Sequence, residues 1–598
     1  MKSRTFLRWA AVLPLALSPA FAADIADSAK QQIAQVLAIK KTFSPAMQKM
    51  DSATAFGLLR SRGSLPVWMN AIIDENTTGF VDVQIGANAT AAFRAYVVSL
   101  GGAIRNASPN NDVLVASVPV ASLESLAARP EVKSVSRPGL ATTNVGAVTS
   151  QGYVSHRVKD EIAQLGLTGL GVKVGVMSDS ASAARVSALI ASGDLPASTV
   201  VLPGQSGAPG TDEGAAMMEI VHDMAPNAQI YFATAFTSTE AGFAANILAL
   251  AQAGCKVIVD DVTWFDEGVF QDGIVAQAVN TVTAAGVTYF SAAGNDGNLS
   301  SGTSGTWEGD FVSGGSLSSG AIFSLGETGT LQRFGANNYL AISAVGSSRV
   351  YSLKWSDPLG GSCNDYDLFI TDSAGTTVKA WSAGEQNCTQ DPVEILQGAS
   401  SGANVLVAGD KIVVVLYSGA ARALHVGSHR GRILNGTGGA TFGHNAAANA
   451  VSTAAVYWNS QFAGTVPFVG GAANPDESFS SDGPRKIFYA PAGTPITTNN
   501  YLFGTGGGTT LVKPDAAGAD GVTAHTPGFS PFFGTSAAAP HLAGIAALIL
   551  QARPSYTPAQ VKAAIFNTAL DNMATGIDRD SGHGIVNALA AVQYARSH

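Results

Sequence analysis

The sequence is poor in charge. Only 13% of its 598 residues are Asp, Glu, Lys or Arg, and the formal net charge is -9. Phosphate binding needs clustered Lys and Arg, and no such cluster occurs, so nucleic acid is not expected as a partner. Long charge runs are also lacking, and 46% of the residues are apolar, which excludes a disordered or fibrous chain. Beyond the N-terminus no stretch reaches ~18 apolar residues, so no membrane-spanning helix is expected. Cysteine is scarce, with three in all. Cys363 and Cys388 share one strand-rich stretch and could pair. Cys255 precedes an apolar strand and reads as a buried free thiol.

What is present begins with an export signal. Lys2, Arg4 and Arg8 accompany an apolar stretch from Trp9 to Leu17, and Ala20-Phe21-Ala22 fits the small-x-small pattern. Cleavage is expected after Ala22, and the mature protein is expected to be secreted or periplasmic, where disulfides form.

The length suggests three or four domains. In 80–138, alternating Val81, Val83 and Ile85, a helical 91–100, a strand near 103–106, alternating Val113, Val115 and Ser117, helical Val120, Leu123 and Leu126, and a strand at 132–135 give the split βαβ pattern of a ferredoxin-like domain. From Val172 onward, strands near 172–177, 228–233, 255–260 and 286–290 alternate with Ala-rich helices. The expected class is therefore α/β, with a doubly wound, mostly parallel sheet. In 304–435, Gly/Ser turns separate short strands, as in an all-β sandwich. The α/β text resumes at 436, so the sandwich reads as an insertion.

The chemistry centres on Gly534-Thr535-Ser536-Ala537-Ala538-Ala539-Pro540-His541. A Ser opening a helix sits where free N–H groups favour negative charge, and its own N–H can serve an oxyanion. Ala537 to Ala539 keep the approach open. Pro540 is tolerated if it lies in the first turn, where an N–H has no intrahelical partner.

This segment resembles the serine motif of the subtilisin/sedolisin superfamily. Further blocks match in order. Val174 to Ser180 resembles the strand ending in the family aspartate, here Asp179. Ser291-Ala292-Ala293-Gly294-Asn295-Asp296-Gly297 resembles the oxyanion-hole segment, with Asn295 as donor. Phe479 to Pro484, Lys513-Pro514-Asp515 and Ser581 to Ala588 resemble framework segments. The resemblance implies a subtilisin-like fold, a serine endopeptidase, polypeptide substrates, a monomer, and a propeptide as a partner of its own enzyme. The expected divisions are 1–22 signal peptide, 23–147 propeptide, 148–303 and 436–598 catalytic domain, and 304–435 inserted β-sandwich.

One departure stands out. Where subtilisins place histidine, Gly210-Thr211-Asp212-Glu213-Gly214 puts Glu213, and Met224-Ala225-Pro226-Asn227-Ala228 fixes that register. Sedolisins also use Glu there, with an Asp one turn on, where this chain has Met217. The resemblance is thus to a sedolisin-like branch, with Glu213 and Asp179 as acid-base partners of Ser536. A carboxylate can take the serine proton and return it to the leaving amine, and an ordinary Glu suits acid conditions. A second carboxylate, Asp179 or Asp261, would raise the pair's upper pKa.

The substrate is expected along Asp261 to Trp264 and Ser291 to Gly294 by strand addition, giving Asp261, Trp264, Ala292, Ala293 and Gly294 as binding residues. His222 lies nine residues beyond Glu213, on the opposite helix face, and reads as structural. His541 does too, and His444, His525 and His583 have no evident partner. No cofactor or metal site is expected; Asp578, Asp580 and Ser581 offer calcium-type oxygens, and Asp365 and Asp367 read as turn residues. The rival reading is a catalytically inactive subtilisin-fold binding or adhesion protein that displays the sandwich.

Overall fold

The computed structural model describes residues 25–70, 79–108, 113–137, 141–142, 150–317 and 329–598. The expected signal peptide lies outside the described residues. The N-terminal unit opens with α1 (Asp27–Lys40), α2 (Ser52–Ser61) and α3 (Val67–Asn70). There follow β1 (Phe80–Gly86), α4 (Ala91–Ser99), β2 (Ala103–Ser108), β3 (Val113–Pro119), α5 (Leu123–Ala127) and β4 (Ser134–Ser136). The strands pair antiparallel in the order β2-β3-β1-β4. Thr90 starts α4 by accepting the Phe93 N–H at 3.1 Å.

A short β5 (Ala141–Thr142) leads to α6 (Gly152–Ser155) and α7 (Val158–Leu165). Alternating elements follow: β6 (Lys173–Met177), α8 (Ala183–Ser192), β7 (Val200–Val201), α9 (Glu213–Met224), β8 (Gln229–Phe232), α10 (Glu240–Gln252), β9 (Val257–Asp260), β10 (Thr263–Trp264), α11 (Ile274–Ala284) and β11 (Thr288–Ala292).

Next comes a unit of two facing sheets. Its strands are β12 (Thr306–Asp310), β13 (Ser313–Ser316), β14 (Thr330–Gln332), β15 (Leu340–Ala344), β16 (Val350–Trp355), β17 (Asp365–Thr371), β18 (Val378–Ser382), β19 (Val393–Gln397), β20 (Lys411–Ser418), β21 (Ala423–Ser428) and β22 (Arg432–Ile433). One sheet runs β12-β21-β16-β19. The other runs β13-β14-β20-β15-β22, with β17 and β18 branching from β20. Leu353 and Trp355 of β16 meet Leu368, Ile370, Ile412 and Val414 between them. Cys363 and Cys388 form a disulfide in this unit, and Cys255 is free and buried.

The chain then returns with β23 (Ala450–Tyr457), the hairpin β24 (Arg485–Ile487) and β25 (Thr509–Leu511), and β26 (Ala516–Asp520). Helices α12 (Thr535–Ala552), α13 (Pro558–Phe566) and α14 (Ala588–Ser597) complete it. Seven strands form a parallel sheet ordered β26-β23-β11-β9-β6-β8-β7. Its near-continuous apolar strands are buried on both faces, by α9 and α12 on one side and α10 and α11 on the other.

Two expectations need correction. Helix α12 is long and apolar enough to cross a membrane, but 89% of it is enclosed in the fold, so its hydrophobicity serves the core. Pro540 is the sixth residue of α12, beyond the first turn. It therefore removes the donor that the Ser536 carbonyl would otherwise meet.

Candidate active site

The site lies at the carboxyl edge of the parallel sheet, where loops leave adjacent strands. Strands β6 and β9 pair with Met177 opposite Asp260. That register sets Ser178 and Asp179 beside Asp261. Strand β11 is the next neighbour, with Ser291 opposite Asp260, and Asn295 follows it by three residues beyond Ala292.

Asp179 serves the start of α9. Its Oδ1 accepts the backbone N–H of Ser180 and, at 3.0 Å, that of Glu213. Its Oδ2 accepts the Thr211 N–H and, at 2.7 Å, the Thr211 hydroxyl. These donors engage both oxygens, and the carboxylate caps the helix from outside the helix's own sequence. Asp212, the residue before α9, has φ 63° and turns its carboxylate to Ser182 instead.

Glu213 is the first residue of α9 and is fully buried. A Cβ at Gly214 would overlap the Phe232 ring, so only glycine lets the helix start this close to β8. The side chain of Glu213 faces Asp261. Both Asp261 oxygens are buried without a fixed donor, and their neighbours are the Ser178 hydroxyl and the Glu213 carboxyl. Two carboxyls in contact form a hydrogen bond only when one holds a proton. Burial pushes Asp261 up to about 7, the Ser178 and Glu213 contacts oppose this, and the charges of Asp179 and Asp260 add to it.

Helices α9 and α12 both start at the carboxyl edge and run back across the sheet. They pack closely where the end of α9 meets the middle of α12, and a Cβ at Gly544 would overlap Met224. Gly534 precedes the helix, and its N–H donates to Asp520 Oδ2 at 3.0 Å. Thr535 brackets the Gly294-Asn295 segment: its N–H donates to Asn295 Oδ1 at 3.0 Å, and its Oγ1 accepts the Gly294 N–H at 3.1 Å. With its oxygen engaged, the Asn295 amide keeps Nδ2 as its donor.

The expected binding residues fare differently. Asp261 is enclosed and turned to Glu213, not to an open cleft. The Trp264 indole is packed in the core beside α10 and α11, so β10 can offer a peptide only its backbone. That backbone pairs with β5, Thr263 opposite Thr142 and Trp264 opposite Ala141. Ser291 and Ala292 lie in β11, between β9 and β23, so no free edge exists there for an added strand. The Ala293 N–H is taken by Thr453 and the Gly294 carbonyl by Ser481.

Sequence reasoning missed Arg430, from the turn between β21 and β22. Its backbone N–H donates to Asp296 Oδ1 at 2.6 Å, and His429 Nδ1 lies 3.1 Å from Asp296 Oδ2. Burial draws the Arg430 guanidinium down, while the charges of Asp296, Glu213 and Asp261 hold it up. The two-sheet unit therefore sets a cation near the Glu213–Asp261 pair. Only the tertiary fold could reveal this, because 217 sequence positions separate Glu213 from Arg430.

The histidines are structural in geometry. His222 faces Asp194 and the Gly193 carbonyl, and burial lowers it. His541 Nδ1 donates to the Ala537 carbonyl at 2.7 Å, and its Nε2 meets Ser150. His444 bridges Glu267 at 2.6 Å and Asp260 at 3.0 Å. Burial works against its proton, but those two carboxylates push it up to about 10. His525 meets Asp194 at 2.6 Å, and His583 stacks on Phe566. Asp578 Oδ1 accepts the N–H groups of Asp580 and Ser581, both at 2.8 Å, as a turn residue does. Asp365 and Asp367 are not turn residues, because they lie in β17 and bind Lys40. Among the described residues no group of three or more His, Cys, Asp or Glu is arranged to hold a metal ion.

These features define an α/β protein whose reactive groups gather at one edge of a parallel sheet, with a Ser at a helix start and an Asn beside it. Residues 193–584 match the subtilase family, Peptidase S8, and the chain belongs to that family. The match takes in Glu213, Asn295 and Ser536. Fervidolysin of Fervidobacterium pennivorans is 36% identical over 89 residues, 14% of this chain and 13% of that protein. Alkaline elastase YaB of Bacillus sp. (strain YaB) is 39% identical over 90 residues, 15% of this chain and 22% of that protein. Subtilisin-like protease SBT2.3 of Arabidopsis thaliana is 30% identical over 156 residues, 22% of this chain and 18% of that protein. The chain thus spans less than a quarter of each of these relatives. Among solved structures, the Clostridium perfringens CspB protease is similar over 74% of this chain and 97% of its own, at 12% identity and a TM-score of 0.46.

Proposed function

We propose that the protein is an exported serine endopeptidase of the sedolisin-like kind, in which Glu213 replaces the histidine of subtilisins. The observation that carries this reading is the buried Glu213–Asp261 carboxyl pair at the start of α9, beside the helix that Ser536 opens. Ser536 Oγ attacks the scissile carbonyl carbon and gives its proton to Glu213. The oxyanion takes hydrogen bonds from the Ser536 N–H and Asn295 Nδ2. As the C–N bond breaks, Glu213 returns the proton to the leaving amine. Water then attacks the acyl-enzyme by the same route in reverse. Glu213 and Asp261 share one proton, which orients the Glu213 carboxyl, while Asp179 holds the helix start. This chemistry uses no cofactor.

Residues 23–147 are proposed as the propeptide and 304–435 as the inserted sandwich. The antiparallel β5–β10 pairing supports the first assignment, because a bound peptide would add to the same edge. The Cys363–Cys388 disulfide supports export.

The test is casein hydrolysis from pH 3 to 9 by wild type, Ser536→Ala and Glu213→Ala. Activity in acid that both substitutions abolish is the expected result. Full activity in Glu213→Ala would move the base elsewhere. A wild type that cuts nothing, even after the N-terminal unit is removed, would favour the inactive binding protein.

A further inference from the structure

Strand β20 reads Ile412-Val413-Val414-Val415-Leu416-Tyr417, without the polar alternation of a sheet that has one wet face. Ile412 and Val414 point between the two sheets. Val413 and Val415 point the other way, where Phe369 and Trp381 join them. This outer face is covered by the N-terminal unit. Ile33, Val36 and Leu37 of α1 and Phe56 of α2 belong to the same apolar cluster, which contains no residue of the parallel-sheet unit. The Trp381 ring lies 5.7 Å from Phe56 and 5.6 Å from Trp68.

Hydrogen bonds border the contact. Ala26 N–H reaches the Gly375 carbonyl at 2.8 Å, and Gln32 Oε1 accepts the Val378 N–H at 2.6 Å. Ser52 Oγ accepts the Ala383 N–H at 2.9 Å. Inside the contact lies an ion cluster. Asp365 and Asp367, two residues apart on β17, share the outer face, and Lys40 at the end of α1 meets them at 2.8 and 2.9 Å. All three side chains are at most 2% exposed. Lys40 also lies 4.5 Å from the Tyr417 ring.

A family propeptide that leaves must uncover a surface that tolerates water. This one would uncover an apolar sheet face carrying two carboxylates that have lost their cation. We propose that this face of β17, β18 and β20 is a permanent seat for the N-terminal unit, so that residues 25–137 stay bound to the two-sheet unit as a separate chain once the connection beyond Thr142 is cut. The inference does not depend on the chemistry of Ser536.

The experiment uses the full chain carrying Ser536→Ala and a site for a sequence-specific protease placed between Thr142 and Ser150. After cutting, the two fragments should co-elute in gel filtration at micromolar concentration. Lys40→Met should weaken their association ~100-fold, since a buried pair that loses one partner keeps an uncompensated charge. Adding Asp365→Asn and Asp367→Asn to Lys40→Met should restore most of it. Circular dichroism of each cut protein checks that the larger fragment stays folded. Separation of the wild-type fragments overturns the proposal, and so does unweakened binding by Lys40→Met.

Discussion

Asp179 and Asp261 leave neighbouring strands, yet they do different work. Asp179 spends both oxygens on hydrogen bonds at the start of α9. Asp261 has no fixed donor and answers to Glu213. The pair should titrate as a unit, with burial pushing Asp261 up to about 7. The kcat/KM profile is expected to fall above about 7, as the pair loses the proton that Asp261 shares with Glu213. In Asp261→Asn this limb should vanish or move to lower pH, read from the same profile. Asn295→Ala should lower kcat by ~10²–10³ with little change in KM, because the amide meets charge only in the transition state. Glu213 was readable as a candidate, since the Met224-Ala225-Pro226-Asn227-Ala228 segment registers it. Asp261 was readable only as one of two candidate partners beside Asp179, because the pairing of Met177 with Asp260 that sets it there is a property of the sheet.

At the scale of elements, the decisive pair is α9 against α12. Their close approach depends on Gly544, where any Cβ meets Met224 backed by Val221. Gly544→Ala is expected to destabilise the protein by ~1–3 kcal/mol, measured by urea denaturation, since the surrounding helices cannot part without loss of packing. The Ala-rich text of α12 announced a helix, but its depth in the core came from the sheet beneath it. Pro540 shows the limit of local reasoning: it was acceptable as a first-turn residue and lies a turn further in. Strand β20 shows the reverse. Its unbroken apolar run is buried on both faces, and the cover, α1 and α2, lies about 350 positions or more away.

Across the whole molecule, burial has pushed many carboxyls upward. Asp223, Asp261, Glu394 and Asp482 each reach about 7, from ordinary values of 3.8 for Asp and 4.5 for Glu. Between those values the folded state holds protons that the unfolded chain has lost, so stability rises as pH falls from about 7 toward about 4.5. His156, pushed down to about 4 by burial, works the other way below 6.5, but such groups are fewer. The Tm at pH 5 should therefore exceed that at pH 7.5 by differential scanning calorimetry, and an equal or lower Tm at pH 5 would contradict the balance. The sequence by itself determined the strand and helix order, the α/β class and the motif around Ser536, because periodicity and short motifs act over a few residues. Only the tertiary structure decided that Asp261 partners Glu213, that the charges of their pair act on Arg430, and that the N-terminal unit rests on the two-sheet unit. These depend on strand register and on which faces meet, and such contacts join residues that no local pattern links.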